Sequence, residues 1–140
     1  GAKLILAESC TGGLVGDLLT DIPGSSDVFL GSFVVYANQL KESPLGVPNA
    51  LIAEYGAVSE PVVLAMADGA RKLIAATYAI AISGIAGPGG GGENKPVGTT
   101  CIALVSDTRR EARTMRWPFD RRRNKVVSAY TALDWLRRIL

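Results

Sequence analysis

The sequence predicts an α/β fold, a three-layer α/β/α sandwich on a mixed, mostly parallel sheet, with residues 1–140 forming one domain. Three observations carry this expectation. Over the first half of the chain, β-rich apolar runs alternate with segments of helical spacing. The run Ala79-Ile80-Ala81-Ile82-Ser83 is apolar at nearly every position, as a strand covered on both faces must be. Towards the carboxy terminus two strand-like runs, 97–106 and 111–117, follow one another closely enough to pair antiparallel.

Each element has its own local reason. Residues 3–8 form a buried strand that ends in Glu8, and a helix over 11–20 puts Leu14, Leu18 and Leu19 on one side. Asp21-Ile22-Pro23-Gly24-Ser25-Ser26 is a turn cluster, and the β-branched and aromatic residues of 28–36 form a second strand. A short helix carrying Lys41 follows and is broken by Pro44; Pro48 opens another short helical piece. Ser59 is the N-cap of a longer helix with Pro61 in its first turn, running through Ala65, Met66, Gly69, Ala70 and Leu73. After the 79–83 strand comes a glycine-rich loop, Gly84-Ile85-Ala86-Gly87-Pro88-Gly89-Gly90-Gly91-Gly92. A terminal helix over 124–140 presents Val127, Tyr130, Leu133 and residues 136–140 as its apolar face.

Composition excludes several classes of function. A hydrophobic fraction of 48% and a charged fraction of 20% describe an ordinary globular protein, and a net charge of +2 is too small to argue for a nucleic-acid partner. No apolar run reaches membrane-spanning length and no signal peptide is visible, so no membrane partner is expected. Two cysteines, Cys10 and Cys101, make no disulfide framework, which favours a reducing, cytoplasmic location. There is no histidine. That removes Ser-His-Asp and Cys-His catalysis and the commonest metal ligand, so no metal is expected. Any general base is Lys, Asp, Glu or Tyr.

Four segments could carry chemistry. Ser9 sits at a strand–turn–helix corner, Glu8-Ser9-Cys10-Thr11-Gly12-Gly13, where backbone N–H groups at a helix start can hold an anion or an oxyanion. The plain alternative for Ser9 is a helix N-cap, and Cys10 is a rival nucleophile whose usual fate is apolar packing. In Tyr36-Ala37-Asn38-Gln39-Leu40-Lys41, a desolvated Lys41 with a lowered pKa could take a proton from Ser9, with Tyr36 orienting the pair or relaying the proton. The glycine-rich loop could point N–H groups at a phosphate, and Ser83 at the strand end could donate to a substrate. The loop lacks Gly-Lys-Ser/Thr and is not followed by a helix, so it is neither a Walker A loop nor a dinucleotide fingerprint. Finally, the cation run Arg121-Arg122-Arg123-Asn124-Lys125 at a helix start opposes the helix dipole, a mismatch that anion contact would relieve.

Seven blocks in order across nearly the whole chain resemble the CinA carboxy-terminal domain family, which includes stand-alone nicotinamide-nucleotide amidases. They are Ala7-Glu8-Ser9-Cys10-Thr11-Gly12-Gly13, Leu19-Thr20-Asp21-Ile22-Pro23-Gly24-Ser25-Ser26, Phe33-Val34-Val35-Tyr36-Ala37-Asn38-Gln39-Leu40-Lys41, Leu45-Gly46-Val47, Gly56-Ala57-Val58-Ser59-Glu60, Ser83-Gly84-Ile85-Ala86-Gly87-Pro88-Gly89-Gly90 and Lys95-Pro96-Val97-Gly98. The resemblance implies an α/β/α fold and deamidation of nicotinamide mononucleotide to nicotinic acid mononucleotide and ammonia. It implies Ser9 as nucleophile assisted by Lys41 and Tyr36, no cofactor, and a homo-oligomer, dimer or larger. On this reading Cys10, Thr11, Gly12, Asn38, Ser83, Gly84, Gly87, Gly89, Gly90 and Arg121 bind the pyridine nucleotide, with Cys10 to Gly12 supplying oxyanion donors. The alternative is a non-catalytic nucleotide-binding or interaction module of a competence/damage-inducible CinA-like protein. A thiol hydrolase using Cys10 is a third reading. The chain departs from the family pattern at Pro44, which threatens the placing of Lys41, at Phe119 in place of a glycine, and at Lys125 in place of an arginine.

Overall fold

The computed structural model describes residues 1–140. In chain order it contains β1 (Leu4–Glu8), α1 (Leu14–Thr20), a 3-10 turn (Ser25–Asp27), β2 (Phe29–Val34), α2 (Asn38–Glu42), α3 (Asn49–Tyr55), α4 (Glu60–Ile74), β3 (Tyr78–Gly84), β4 (Thr99–Val105), β5 (Arg110–Arg116) and α5 (Arg121–Ile139). The five strands form one sheet in the order β2-β1-β3-β4-β5. β1 pairs parallel with both β2 and β3, and β4 pairs antiparallel with β3 and with β5. Four strands therefore point one way and β4 alone opposes them, so the sandwich on a mixed sheet is as the sequence predicts.

Helices cover both faces. On one side α4 packs on the sheet through Val62, Val63, Met66, Ala67 and Ala70, with Val35, Leu45, Val47 and Ile52 from the 35–55 segment filling the same layer. On the other side α1 and α5 enclose Leu6, Val15, Ile80, Ile82, Ile102 and Leu104. Each such fully buried aliphatic side chain stabilises the fold by roughly 1.5–3 kcal/mol. One contact on the α4 face is closer than any side chain allows: a Cβ on Gly69 would stand 1.9 Å from the Leu45 carbonyl oxygen. Glycine there lets α4 lie against the 43–47 segment that follows α2.

Three elements differ from the sequence expectation. α1 begins at Leu14 rather than at residue 11, because Gly13 takes a left-handed conformation (φ 101°) that closes a turn first. Ser9 therefore lies outside the helix and is not its N-cap. Ser59 is the N-cap residue of α4 as expected, and its carbonyl accepts from the Val63 N–H, but its hydroxyl donates back to the Gly56 carbonyl instead of capping the helix. α5 starts at Arg121, with the Asp120 side chain accepting from the Arg123 N–H, and it buries Asn124, Ser128, Ala129, Ala132, Trp135 and Leu136. Tyr130 (56%) and Leu140 (75%) are exposed instead. Small residues at 128, 129 and 132 bring the helix axis close to the sheet, and closeness wins over the wider stripe of larger apolar residues. No helix is long and apolar enough to cross a membrane.

Candidate active site

The topology selects one place for a site. From β1 the chain crosses to β2 on one side and later returns to β3 on the other, so the crevice between the carboxyl ends of β1 and β3 is the switch point of the sheet. Ser9 follows β1 there. Its N–H donates to the Ile82 carbonyl at 2.9 Å, which continues the β1–β3 register and sets Ser9 beside Ser83. Tyr36 follows β2 and the glycine-rich loop follows β3, so the first three segments singled out from the sequence leave the same end of the sheet.

Lys41 reaches Ser9 from α2. Its side chain is 1% exposed, and Nζ lies 3.1 Å from Ser9 Oγ, 2.9 Å from the Val35 carbonyl oxygen and 3.2 Å from the Tyr36 carbonyl oxygen. No carboxylate pairs with it. Burial without a counter-charge holds its pKa below the ordinary lysine value of 10.5, opposed only by the nearby Cys10 thiol. The geometry also orients the amine. A carbonyl can only accept, so two Nζ hydrogens are committed to Val35 and Tyr36. The third direction faces Ser9. When Lys41 is neutral its lone pair points there, and the Ser9 hydroxyl can donate into it. Pro44 does not disturb this arrangement, because α2 ends at Glu42 and the break falls after Lys41.

Of the two roles expected for Tyr36, orienting the pair or relaying the proton, the first matches a contact in the structure. Its backbone carbonyl accepts from Lys41, but its ring is 62% exposed and its hydroxyl meets Arg121 Nη2 at 3.3 Å. Arg121 Nη1 also donates to the Gly87 carbonyl at 2.7 Å, so one guanidinium spans from the β2 end to the glycine-rich loop. Asn38 is exposed at the start of α2 and makes no capping bond.

The side chains of Cys10 and Thr11 turn away from this crevice. Cys10 belongs to the core on the α1/α5 face, where its sulfur packs over Gly84, and burial pushes its thiol up to about 12. A thiol in that state is protonated and inert, which argues against the Cys10 hydrolase. The Thr11 hydroxyl donates to Glu8 Oε2 at 2.7 Å, and the Gly12 N–H donates to the Ser9 carbonyl at 3.1 Å, so neither is free for a ligand. The amides of Cys10 and Thr11 donate to no other residue. Ser83 is 1% exposed. In the loop, a Cβ on Gly87 would stand 2.4 Å from Val97 Cγ1, so glycine there permits tight closure of the loop on its own far end. The exposed amides of Gly89, Gly90 and Gly91 have no acceptor.

Sequence reasoning missed two residues. Asn124 holds the loop to α5: its Nδ2 donates to the Ala86 and Phe119 carbonyls, and its Oδ1 accepts from the Phe119 N–H. Nothing in a cation run signals an anchor of that kind. Glu8 is fully buried and accepts five hydrogen bonds from the Ser9 turn, α1 and β2. Here a signal existed, since an acid closing an otherwise apolar buried strand must find partners.

On the α1 side of the Ser9 turn, a cavity of about 420 Å³ is lined by Thr11, Gly12, Asp17, Arg122 and Lys125 among others. Arg122 and Lys125 form no ion pair. Roomier cavities of about 460 and 610 Å³ lie around Arg71–Asp107 and Leu45–Gly69, away from the Ser9 corner. No group of His, Cys, Asp and Glu is placed to hold a metal ion.

The model of the CinA C-terminal domain family matches residues 1–140, the whole chain. This chain belongs to that family. The CinA domain is 51% identical over 140 residues to a CinA-like protein of Geobacter sulfurreducens, and 50% identical over 145 residues to one of Mycolicibacterium paratuberculosis. These matches take in all of this chain but 34% and 33% of those relatives, so the CinA domain spans about a third of the length of the curated relatives it matches. Among solved structures it is similar to the competence/damage-inducible protein CihA of Agrobacterium tumefaciens, with a TM-score of 0.94, 40% identity, and coverage of 97% of this chain and 84% of that one. It is also similar to a competence-damaged protein (CinA) superfamily protein of Escherichia coli, with a TM-score of 0.95, 32% identity, and coverage of 99% and 81%.

Proposed function

We propose that this domain is an amidase that deamidates nicotinamide mononucleotide to nicotinic acid mononucleotide and ammonia. The observation that carries the reading is the 3.1 Å approach of a buried, carboxylate-free Lys41 Nζ to Ser9 Oγ at the switch point of the sheet. The chemistry follows from that pair. Neutral Lys41 takes the Ser9 proton as Oγ bonds to the carboxamide carbon, and the carbonyl electron pair moves onto oxygen. The unpaired amides of Cys10 and Thr11 are the donors available to that oxyanion. When the carbonyl re-forms, the C–N bond breaks and Lys41 returns the proton to the departing nitrogen, which leaves as ammonia. Water then hydrolyses the nicotinoyl ester, giving its proton to Lys41 on attack, and Ser9 recovers its hydrogen as it leaves.

Binding is assigned to the surrounding segments. The free amides of Gly89 to Gly91 and the nearby cation Arg121 suit the substrate phosphate, and Ser83 offers a buried hydroxyl beside Ser9. Tyr36 acts through its carbonyl on Lys41 and through its ring at the rim, not as a proton relay. The resemblance to nicotinamide-nucleotide amidases supplies the substrate; the site supplies the amide chemistry.

One observation favours a second reading, a nucleotide-binding module without turnover. Lys41 Nζ has three acceptors, which would satisfy a permanently protonated ammonium equally well. Ammonia release separates the two. Wild-type protein should release ammonia from nicotinamide mononucleotide, and Ser9→Ala or Lys41→Ala should lower the rate by ~10³-fold or more. Tight binding of the nucleotide with no product from the wild type would establish the second reading instead.

A further inference from the structure

Glu8 is the buried ionisable group that the mechanism above does not use. We infer that Glu8 is a positioning residue for the reaction: it consumes the amides of the α1 start so that only those of Cys10 and Thr11 stay free beside Ser9. The inference rests on the amidase reading.

The carboxylate is fully enclosed and meets no cation. Oε2 accepts from Thr11 Oγ1 at 2.7 Å, from Gly13 N–H at 3.1 Å and from Val15 N–H at 3.0 Å. Oε1 accepts from Gly16 N–H at 3.1 Å and from Ser32 Oγ at 2.9 Å. The protein's own anion thus occupies the helix start that the sequence suggested for a substrate anion, and a ligand phosphate has to bind elsewhere. Gly12 N–H is spent on the Ser9 carbonyl. Two amides of the turn remain, on the residues immediately after Ser9.

Rigidity follows from the same bonds. Glu8 and Ser9 are adjacent, so one side chain ties the residue before the nucleophile to Thr11, Gly13, Val15 and Gly16 beyond it. The Ser32 bond anchors this ring to the neighbouring strand β2. Donors fixed this way need not reorganise when charge develops on the substrate oxygen. Glu8→Gln breaks the arrangement with little change in volume. Whichever carboxylate oxygen becomes an NH₂ group, it meets at least one main-chain N–H donor against donor.

The test compares wild type, Glu8→Gln and Glu8→Asp by steady-state deamidation of nicotinamide mononucleotide over the neutral-to-alkaline range, with native-state hydrogen exchange of the same proteins. Glu8→Gln should lower kcat by ~10²-fold and leave KM within about threefold, because the two free amides act on the transition state alone. The acid limb of kcat/KM, set by Lys41, should stay where it is in wild type; a general loosening of the site would hydrate Lys41 and move that limb to higher pH. Glu8→Asp keeps both acceptors and should recover part of kcat. Exchange protection at Gly13, Val15 and Gly16 should fall by about tenfold or more in Glu8→Gln while β1 and β3 keep theirs. Unchanged protection of those three amides overturns the inference whatever the activity, and so does unchanged kcat when protection is lost. A wild type that releases no ammonia sinks the amidase reading, and with it the assignment of Glu8 to that reaction; the exchange data then still decide whether Glu8 holds the turn.

Discussion

Glu8 and Lys41 are both buried ionisable side chains at one corner of the sheet, and they are treated in opposite ways. Glu8 receives five hydrogen bonds from amides and hydroxyls and needs no counter-ion. Lys41 receives no carboxylate, only two backbone carbonyls and the Ser9 hydroxyl. Consecutive residues on β1 and its extension alternate between faces, so Glu8 looks into the α1 layer and Ser9 into the layer that holds Lys41. The contrast teaches how a fold separates rigidity from reactivity. A charge matched by oriented donors becomes scaffold. A charge left with partial dipoles is pushed towards its neutral form, and that form is the useful one for a base.

The largest stability effects should divide these two groups. Glu8→Ala leaves three amides and two hydroxyls without their acceptor and should lower the unfolding free energy by roughly 3 kcal/mol or more. Lys41→Met orphans two carbonyls but also removes a poorly solvated amine, and should cost about 1 kcal/mol. Urea unfolding of both variants checks this, and a Lys41→Met loss as large as that of Glu8→Ala would erase the distinction.

An intermediate effect tests whether Lys41 is held from behind. Gly69→Ala puts a methyl group where the Leu45 carbonyl oxygen now lies, 1.9 Å away, so α4 and the 43–47 segment must separate. The expected destabilisation is about 1–3 kcal/mol, with a fall in kcat as α2 loses its support. A variant with full activity would mean that Lys41 is positioned by its own three bonds alone.

The pH dependence follows from the lowered Lys41 pKa. Between that native value and 10.5, the unfolded chain holds a proton that the folded chain lacks, so stability rises with pH. The difference in unfolding free energy between wild type and Lys41→Met should therefore move in favour of wild type across that window and level off above it. Activity should rise with pH through the same native pKa. A flat difference would mean that Lys41 keeps its proton when folded. Least of all should change on treatment with a thiol alkylating agent at neutral pH, since burial pushes the Cys10 thiol up to about 12. Loss of activity on alkylation would return Cys10 to consideration.

Much of the site is legible in the order of the residues. Ser9 stands at a strand–turn boundary marked by the two glycines that follow it, and the absence of histidine restricts its partners to a few residue types. Lys41 and Tyr36 sit in blocks whose order matches a known family. The contact Tyr36 makes with Lys41 is not legible, because a sequence does not say whether a residue contributes its side chain or its carbonyl. Nor is the Arg121 bridge to Gly87 and Tyr36, which joins residues far apart in the chain. The buried face of α5 departs from its apolar stripe for a related reason. Apolar periodicity reports which residues prefer burial, while Ser128, Ala129 and Ala132 are buried because they are small enough to let the helix approach.

What this sequence determined alone is the local part: alternating strands and helices, turns at glycine and proline, and a hydroxyl at the end of the first strand. These depend on propensity and spacing over a few residues. Only the tertiary structure decided what surrounds each of the two buried ionisable groups. Glu8 meets five donors because α1 folds its amides back onto it, and Lys41 meets Ser9 because α2 carries it there with no acid alongside. Both outcomes depend on electrostatic surroundings assembled from segments distant in the chain, and burial and partner geometry are properties of the packed whole.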